Sequence, residues 1–190
     1  MAELKTESVR KSIHVLIALC PALAALNLPL TVLALASGIV CYSLMERLRL
    51  AGVQVPLISA ITCMASRQRD ASRFVRGPVT LALGAIAALL LLPLPAASIG
   101  IYALAFGDSF ASLAGKLFGR HRPAFLCGKS LEGSAACFAA AFIPAWLVSH
   151  SLAVSLAAAL AATAAEALPL KDYDNIALPL AAGLAALLLM

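Results

Sequence analysis

An all-α bundle of membrane-spanning helices is the fold class that three observations on this chain predict. Hydrophobic residues make up 63% of the 190 and charged residues 12%, with a mean hydropathy of +0.98, far from the balance of water-soluble domains. Apolar runs of helical length recur along the chain between short breaks. Richness in Gly, Ala and Leu, with only 6% aromatic residues, favours close-packed helices over a barrel of alternating strands. At roughly 20 residues per crossing, the length holds one domain, 1–190, and no separate soluble module.

The apolar runs fall at about 12–28, 30–46, 77–93, 97–115, 131–148, 151–168 and 175–190, which predicts about seven helices, some of them short. Helix-ending signals separate them at Asn27-Leu28-Pro29, at Pro93-Leu94-Pro95, at Ser149-His150-Ser151 and at Pro169. Residues 51–76 differ: an apolar stretch leads into Arg67, Arg69, Asp70, Arg73 and Arg76, which reads as a short interfacial or re-entrant helix followed by a basic surface segment. Arg10 and Lys11 precede the first run as in a signal peptide. With the sequence starting at Met1, that run is read as an uncleaved first span, and Leu16–Cys20 also lacks the small residue that a lipoprotein cleavage site requires before its Cys.

Charge fixes an orientation. With the N-terminus cytoplasmic, the connections near 28, 94 and 150 carry no Lys, Arg, Asp or Glu, and every charged segment falls at the opposite face, as the positive-inside rule requires. The net charge of +5 is therefore membrane topology rather than a nucleic-acid footprint. Acids accompany the bases at that face, which anchoring alone does not need. A transporter would show ionisable groups near the midplane and related halves; no internal repeat is visible. The pattern predicts an interfacial enzyme that joins an anionic co-substrate to a lipid, in a prokaryotic inner or cytoplasmic membrane with its active site facing the cytoplasm. The five cysteines, Cys20, Cys41, Cys63, Cys127 and Cys137, have no metal-ligand spacing and read as small core residues, with neither zinc nor disulfides expected.

Asp108 is the first candidate for chemistry. It lies roughly 12 Å inside the boundary marked by Lys116 on a straight helix, and Gly107 beside it suggests a break that admits water and a metal ion. Mg²⁺ takes one or two carboxylates and completes its shell with phosphate oxygens. Lys116, Arg120, His121 and Arg122, followed by Lys129, place cations beside glycines, which suits a polyphosphate cradle; Ser130 is placed to cap a helix starting near Leu131. The spacing is not that of a Walker A loop, since Pro123 stands where the first Gly would be. Glu166 reads as a metal ligand or as base for a lipid hydroxyl, while Asp174 or Asn175 could simply cap the last helix. His14 and Glu46 are substrate-contacting or structural candidates, and Asp172 joins them from the late acidic segment.

Together these segments resemble the membrane family of CTP-dependent lipid kinases that includes dolichol kinase, phytol kinase and the CTP-dependent diacylglycerol kinase of fungi. The resemblance is carried by Lys11-Ser12-Ile13-His14, by Gly107-Asp108-Ser109 through Gly115, by Lys129-Ser130-Leu131-Glu132-Gly133, and by Glu166 to Asn175. It implies Mg²⁺ as cofactor, CTP as phosphate donor, and a membrane lipid alcohol (undecaprenol, dolichol, phytol or diacylglycerol) as partner. It implies catalytic roles for Asp108, Lys129, Glu132 and Glu166. Nucleotide contacts would come from Gly107, Gly115, Lys116, Arg120, Arg122, Lys129, Ser130 and Gly133, with Asp108, Glu132 and Asp174 on the metal. Phosphatidate cytidylyltransferases are similar but carry a longer Asp-rich signature; a small transporter or flippase and a non-catalytic scaffold are the readings from other classes. Oligomeric state is left open, since Gly38, Gly84, Gly100 and Gly183 permit contacts within or between chains.

Overall fold

The computed structural model describes residues 2–53 and 73–190, and among the described residues all regular structure is helical. The elements are α1 (Ala2–Leu16), a 3₁₀ turn (Ile17–Leu19), α2 (Cys20–Leu50), α3 (Gly77–Leu91), α4 (Leu94–Tyr102), a π-helical segment (Ala103–Asp108), α5 (Ser109–Leu117), a 3₁₀ turn (Ala124–Leu126), α6 (Leu131–Ser149), α7 (Leu152–Ala167), a 3₁₀ turn (Lys171–Tyr173) and α8 (Asp174–Leu187). Most of the interfacial helix and basic segment expected at 51–76, with Cys63, lies outside the described residues.

Three stretches are long and apolar enough to cross a membrane, Thr6–Leu50, Leu94–Leu117 and Leu131–Ser149, and Gly77–Leu91 and Leu152–Ala167 are shorter apolar helices. Their outer surface is studded with exposed Leu26, Leu90, Leu91, Ile143, Leu147 and Leu160, side chains that water would disfavour and hydrocarbon accepts.

Local sequence explains the bends. Asn27 is extended (φ −158°, ψ 96°) within α2; its Oδ1 accepts from Leu30 N at 2.9 Å, and Pro29 follows where a missing N–H costs nothing. A straight helix would hold Glu7 and Glu46 roughly 58 Å apart. Instead both serve the same end of the bundle. Glu46 Oε1 accepts from Val75 N at 3.0 Å, and Gly77 O, just beyond, receives Asn175 Nδ2 at 3.4 Å beside the charged residues described below. The chain thus reverses at the break expected from Asn27-Leu28-Pro29. The other breaks fall at extended Leu92 before Pro93, at left-handed His150 (φ 51°), and at extended Leu168 before Pro169.

Around Gly107 the structure differs from the expected break: the helix continues as a π segment, a widened turn often found at functional sites. The widening keeps the backbone hydrogen-bonded while carrying buried Asp108 inward. Packing is made close by small residues. Ala85, Ala88, Ala96, Ala97, Ala158, Ala162 and Ala182 are fully buried. A Cβ on Gly84 would lie 2.0 Å from Asn175 O, and one on Gly100 would lie 2.2 Å from Pro179 O. Helices α3 and α4 therefore touch α8 backbone to backbone, which is how helices associate where the hydrophobic effect is weak. Gly84 and Gly100 serve contacts within the chain, whereas nothing lies within 4 Å of the Cβ position of Gly38.

Candidate functional site

Acids and bases gather at one end of the bundle around a cavity of about 450 Å³ bounded by α1, α5, the 118–130 loop, the start of α6 and the 168–174 turn. Its walls carry the cations Arg10, Lys116, Arg122, Lys129 and Lys171 and the carboxylates Glu7, Asp108, Glu166, Asp172 and Asp174. Charge of both signs in one concave site can hold an anion together with its counter-cation, and the volume suits an organic ligand.

Asp108 is buried at 5% exposure. Its Oδ2 accepts a hydrogen bond from Lys11 Nζ and lies 3.2 Å from His14 Nδ1. Lys11 and His14 are themselves buried, and they reach Asp108 because residues three apart share one face of α1. Glu7, one turn earlier on that face, pairs with Arg10 and with Lys116 Nζ at 2.8 Å. Helix α1 is thereby locked to α5 by charge. In the sequence Arg10, Lys11 and His14 stand out only as an early motif or a boundary element and Glu7 not at all; the spacing Glu7, Lys11, His14 at i, i+4, i+7 is the signal that marks these three as one face.

On the other wall, Lys129 Nζ lies 2.9 Å from Glu166 Oε1, and Glu166 Oε2 is buried with no hydrogen-bond partner among the described residues. Ser130 caps α6, its Oγ accepting from Gly133 N at 3.1 Å, so a helix N-terminus opens beside Lys129 and favours negative charge. The glycines here are steric necessities: a Cβ on Gly119 would fall 2.2 Å from Gly115 O, and one on Gly133 would fall 2.9 Å from Ala111 O. Arg122 lines the cavity while its two terminal nitrogens donate to Gly128 O at 2.6 Å and Gly115 O at 2.9 Å, a guanidinium fixed by its own backbone contacts. Cys127 and Lys171 line the same wall with left-handed φ values of 50° and 56°, conformations that L side chains adopt at a cost and that cluster at binding sites.

The remaining expected residues are placed as follows. Gly115, Lys116, Arg122, Lys129, Ser130, Gly133, Asp172 and Asp174 line the cavity with Asp108 and Glu166. Gly107 faces Cys137 inside the bundle, and Arg120, although next to the site, is not among the lining residues. Glu132 is also outside the lining: its Oε1 accepts from Arg120 N and His121 N, each at 3.1 Å, and meets His121 Nδ1 at 2.8 Å. Glu46, fully buried, accepts from Arg49 Nε and Nη2 at 2.8 Å each. Asn175 donates to Thr80 Oγ1 at 2.9 Å and to Gly77 O, tying α8 to α3 directly beside Asp174. Ser134 lines the cavity too; its buried Oγ has no hydrogen-bond partner among the described residues, and nothing in the sequence marks it.

Asp174 stands before the apolar part of α8. Burial first, and then the charge of Asp108, push its carboxyl up to about 6. A cation beside the Asp174 carboxyl would relieve that cost of ionisation. Among the described residues no group of three His, Cys, Asp or Glu could hold a metal ion by itself. The carboxylates here do not make a closed structural site; a hard cation such as Mg²⁺ needs only one or two carboxylates and fills its shell with phosphate oxygens and water.

Comparison of the chain with protein-family models, with curated proteins and with solved structures returns no match.

Proposed function

We propose that this chain is an integral membrane lipid kinase, with about seven spans and its N-terminus and active site at the cytoplasmic face, that transfers the terminal phosphate of CTP to the hydroxyl of a membrane lipid alcohol. The observation that carries this reading is the convergence of Asp108, Lys116, Lys129, Glu166 and Asp174 on one cavity at the charged end of an otherwise apolar bundle. These residues come from the segments whose motifs resemble the CTP-dependent lipid kinases.

In this reading Lys129, Lys116, Arg122 and the N-terminus of α6 bind the phosphates. Asp108 and Asp174 would hold Mg²⁺, and the ion would neutralise phosphate charge when bound with the nucleotide. Phosphoryl transfer asks chiefly for positioning and charge neutralisation. The lipid oxygen attacks the terminal phosphorus, the bond from that phosphorus to the bridging oxygen breaks, CDP leaves, and the hydroxyl proton passes to Glu166 Oε2. Leu168 and Pro169 on the cavity wall give the acceptor an apolar approach from the bilayer.

The test is transfer by purified, detergent-solubilised protein supplied with Mg²⁺, CTP or ATP labelled in the terminal phosphate, and a panel of undecaprenol, dolichol, phytol, geranylgeraniol and diacylglycerol. Labelled lipid phosphate with CTP preferred supports the kinase. A cytidine-containing lipid formed from phosphatidate would assign the chain to cytidylyl transfer, and nucleotide-independent lipid movement in sealed liposomes would assign it to transport.

A further inference from the structure

We propose that Glu132 is a positioning residue: a staple that holds the 118–130 loop in register so that Arg122 and Lys129 stay aimed at the bound phosphates. This rests on the reading of the cavity as a nucleotide site. The observation behind it is the direction of the Glu132 carboxylate. Glu132 is the second residue of α6, after the Ser130 cap, where an acid usually serves the helix end. Here it serves its own backbone N–H at the helix end and also reaches back across the loop. Its Oε1 receives Arg120 N and His121 N at 3.1 Å each and His121 Nδ1 at 2.8 Å. Leu131 N completes the closure by donating to His121 O at 3.0 Å.

The next residue after this staple is Arg122, which holds Gly115 O and Gly128 O. Lys129 follows that second anchor directly. Glu132 therefore acts on the cavity through the loop backbone, and the loop presents two of its cations. The His121 ring is exposed (74% of its side chain), so its contact with the carboxylate is screened by water and contributes little. The two backbone N–H groups bonded to a charged acceptor carry the effect. A glutamine can accept those bonds through its own oxygen, whereas an alanine cannot. Without the staple the loop must be ordered when the nucleotide binds, and that cost falls on affinity rather than on the bound complex.

The experiment uses the full chain in detergent and compares Glu132→Gln, Glu132→Ala and Asp108→Asn. Glu132→Ala should raise the KM for CTP by about tenfold with kcat within about twofold and an unchanged Mg²⁺ requirement, while Glu132→Gln stays near wild type. Trypsin reports the loop independently of turnover: cleavage after Arg120 should be about tenfold faster in Glu132→Ala than in wild type or Glu132→Gln, and CTP should slow it. A kcat loss in Glu132→Gln like that of Asp108→Asn, or a shifted Mg²⁺ requirement, would make Glu132 a metal ligand or base and overturn the staple. So would a Glu132→Ala protein with wild-type KM and wild-type cleavage. If wild type transfers no phosphate, the kinase reading fails while the cleavage rates, with and without CTP or inorganic tripolyphosphate, still decide the staple.

Discussion

Lys129 Nζ lies 2.9 Å from Glu166 Oε1, so the residue before the cap of α6 is joined to the last turn of α7 on the cavity wall. The pair is unequal: the Lys129 side chain is 29% exposed and that of Glu166 9%. Replacing Lys129 by Met strands a buried carboxylate, whereas replacing Glu166 by Gln leaves an ammonium that can turn to water. Thermal unfolding in detergent should show Lys129→Met destabilised by about 2 kcal/mol and Glu166→Gln by less than about 1 kcal/mol, with phosphate transfer lost in both. Equal destabilisation would mean that the pair is wetter than its burial indicates.

Asp108 calls for a double substitution. Lys11, at 2% exposure, has Asp108 as its hydrogen-bonded acid. Asp108→Asn alone removes that charge and leaves a buried ammonium, so it should lower stability by about 3 kcal/mol as well as abolish transfer. Adding Lys11→Met should restore much of the stability without restoring activity. A double-substitution cycle on unfolding and on turnover separates the two effects; recovery of turnover in the double variant would exclude a direct role for Asp108.

The helices were legible because the apolar runs and their Pro, Asn and Ser breaks are local signals, and the structure keeps those breaks at residues 27, 93, 150 and 169. The continuous π segment at Ala103–Asp108 was not legible, since Gly107 marks only a weak point in the helix and leaves open how the chain passes it. In the site, Asp108, Lys129 and Glu166 stood out as charges inside or beside apolar runs. Glu7 did not, because at the start of the chain it looks like one more surface charge; only the α1–α5 contact gives it Lys116 as partner. Glu132 carried the same motif signal as Lys129, yet a helix start turns adjacent side chains by roughly 100° each, and sequence alone does not say which of them faces the cavity.

Helix contacts give a stability test away from the charges. A Cβ at Gly84 would meet Asn175 O at 2.0 Å and Asn175 C at 3.0 Å, both backbone atoms with no rotamer to yield. Gly84→Ala must push α3 from α8, displacing Asn175 and with it Asp174, and should cost about 3 kcal/mol or more along with most of the activity. Gly38→Ala, with open space around it, should be neutral or stabilising by up to about 1 kcal/mol, since alanine is the better helix former. Thermal midpoints of the two variants, measured side by side, check the prediction; similar midpoints would mean that the α3–α8 contact is looser than the backbone spacing indicates.

Replacing Asp174 by Asn should stabilise the fold by an amount that grows as pH rises. The Asp174 carboxyl, ordinarily near 3.8, is pushed up to about 6 in the folded chain, so between those values the folded state binds more protons than the unfolded one. Stability contributed by this group therefore falls as pH rises through that window, and the ionised carboxylate opposes folding in full above it. At about 1.4 kcal/mol per pH unit the ceiling is about 3 kcal/mol, and partial exposure to water lowers it to about 1–2 kcal/mol. Asp174→Asn should accordingly raise the thermal midpoint at pH 7.5, show little difference from wild type near pH 4, and lose phosphate transfer at every pH. Mg²⁺ with CTP should stabilise wild type more than the variant, because bound cation removes the repulsion that the substitution has already removed. An Asp174→Asn protein less stable than wild type at pH 7.5 would show that the carboxylate serves the fold, as an acid at the start of a helix can.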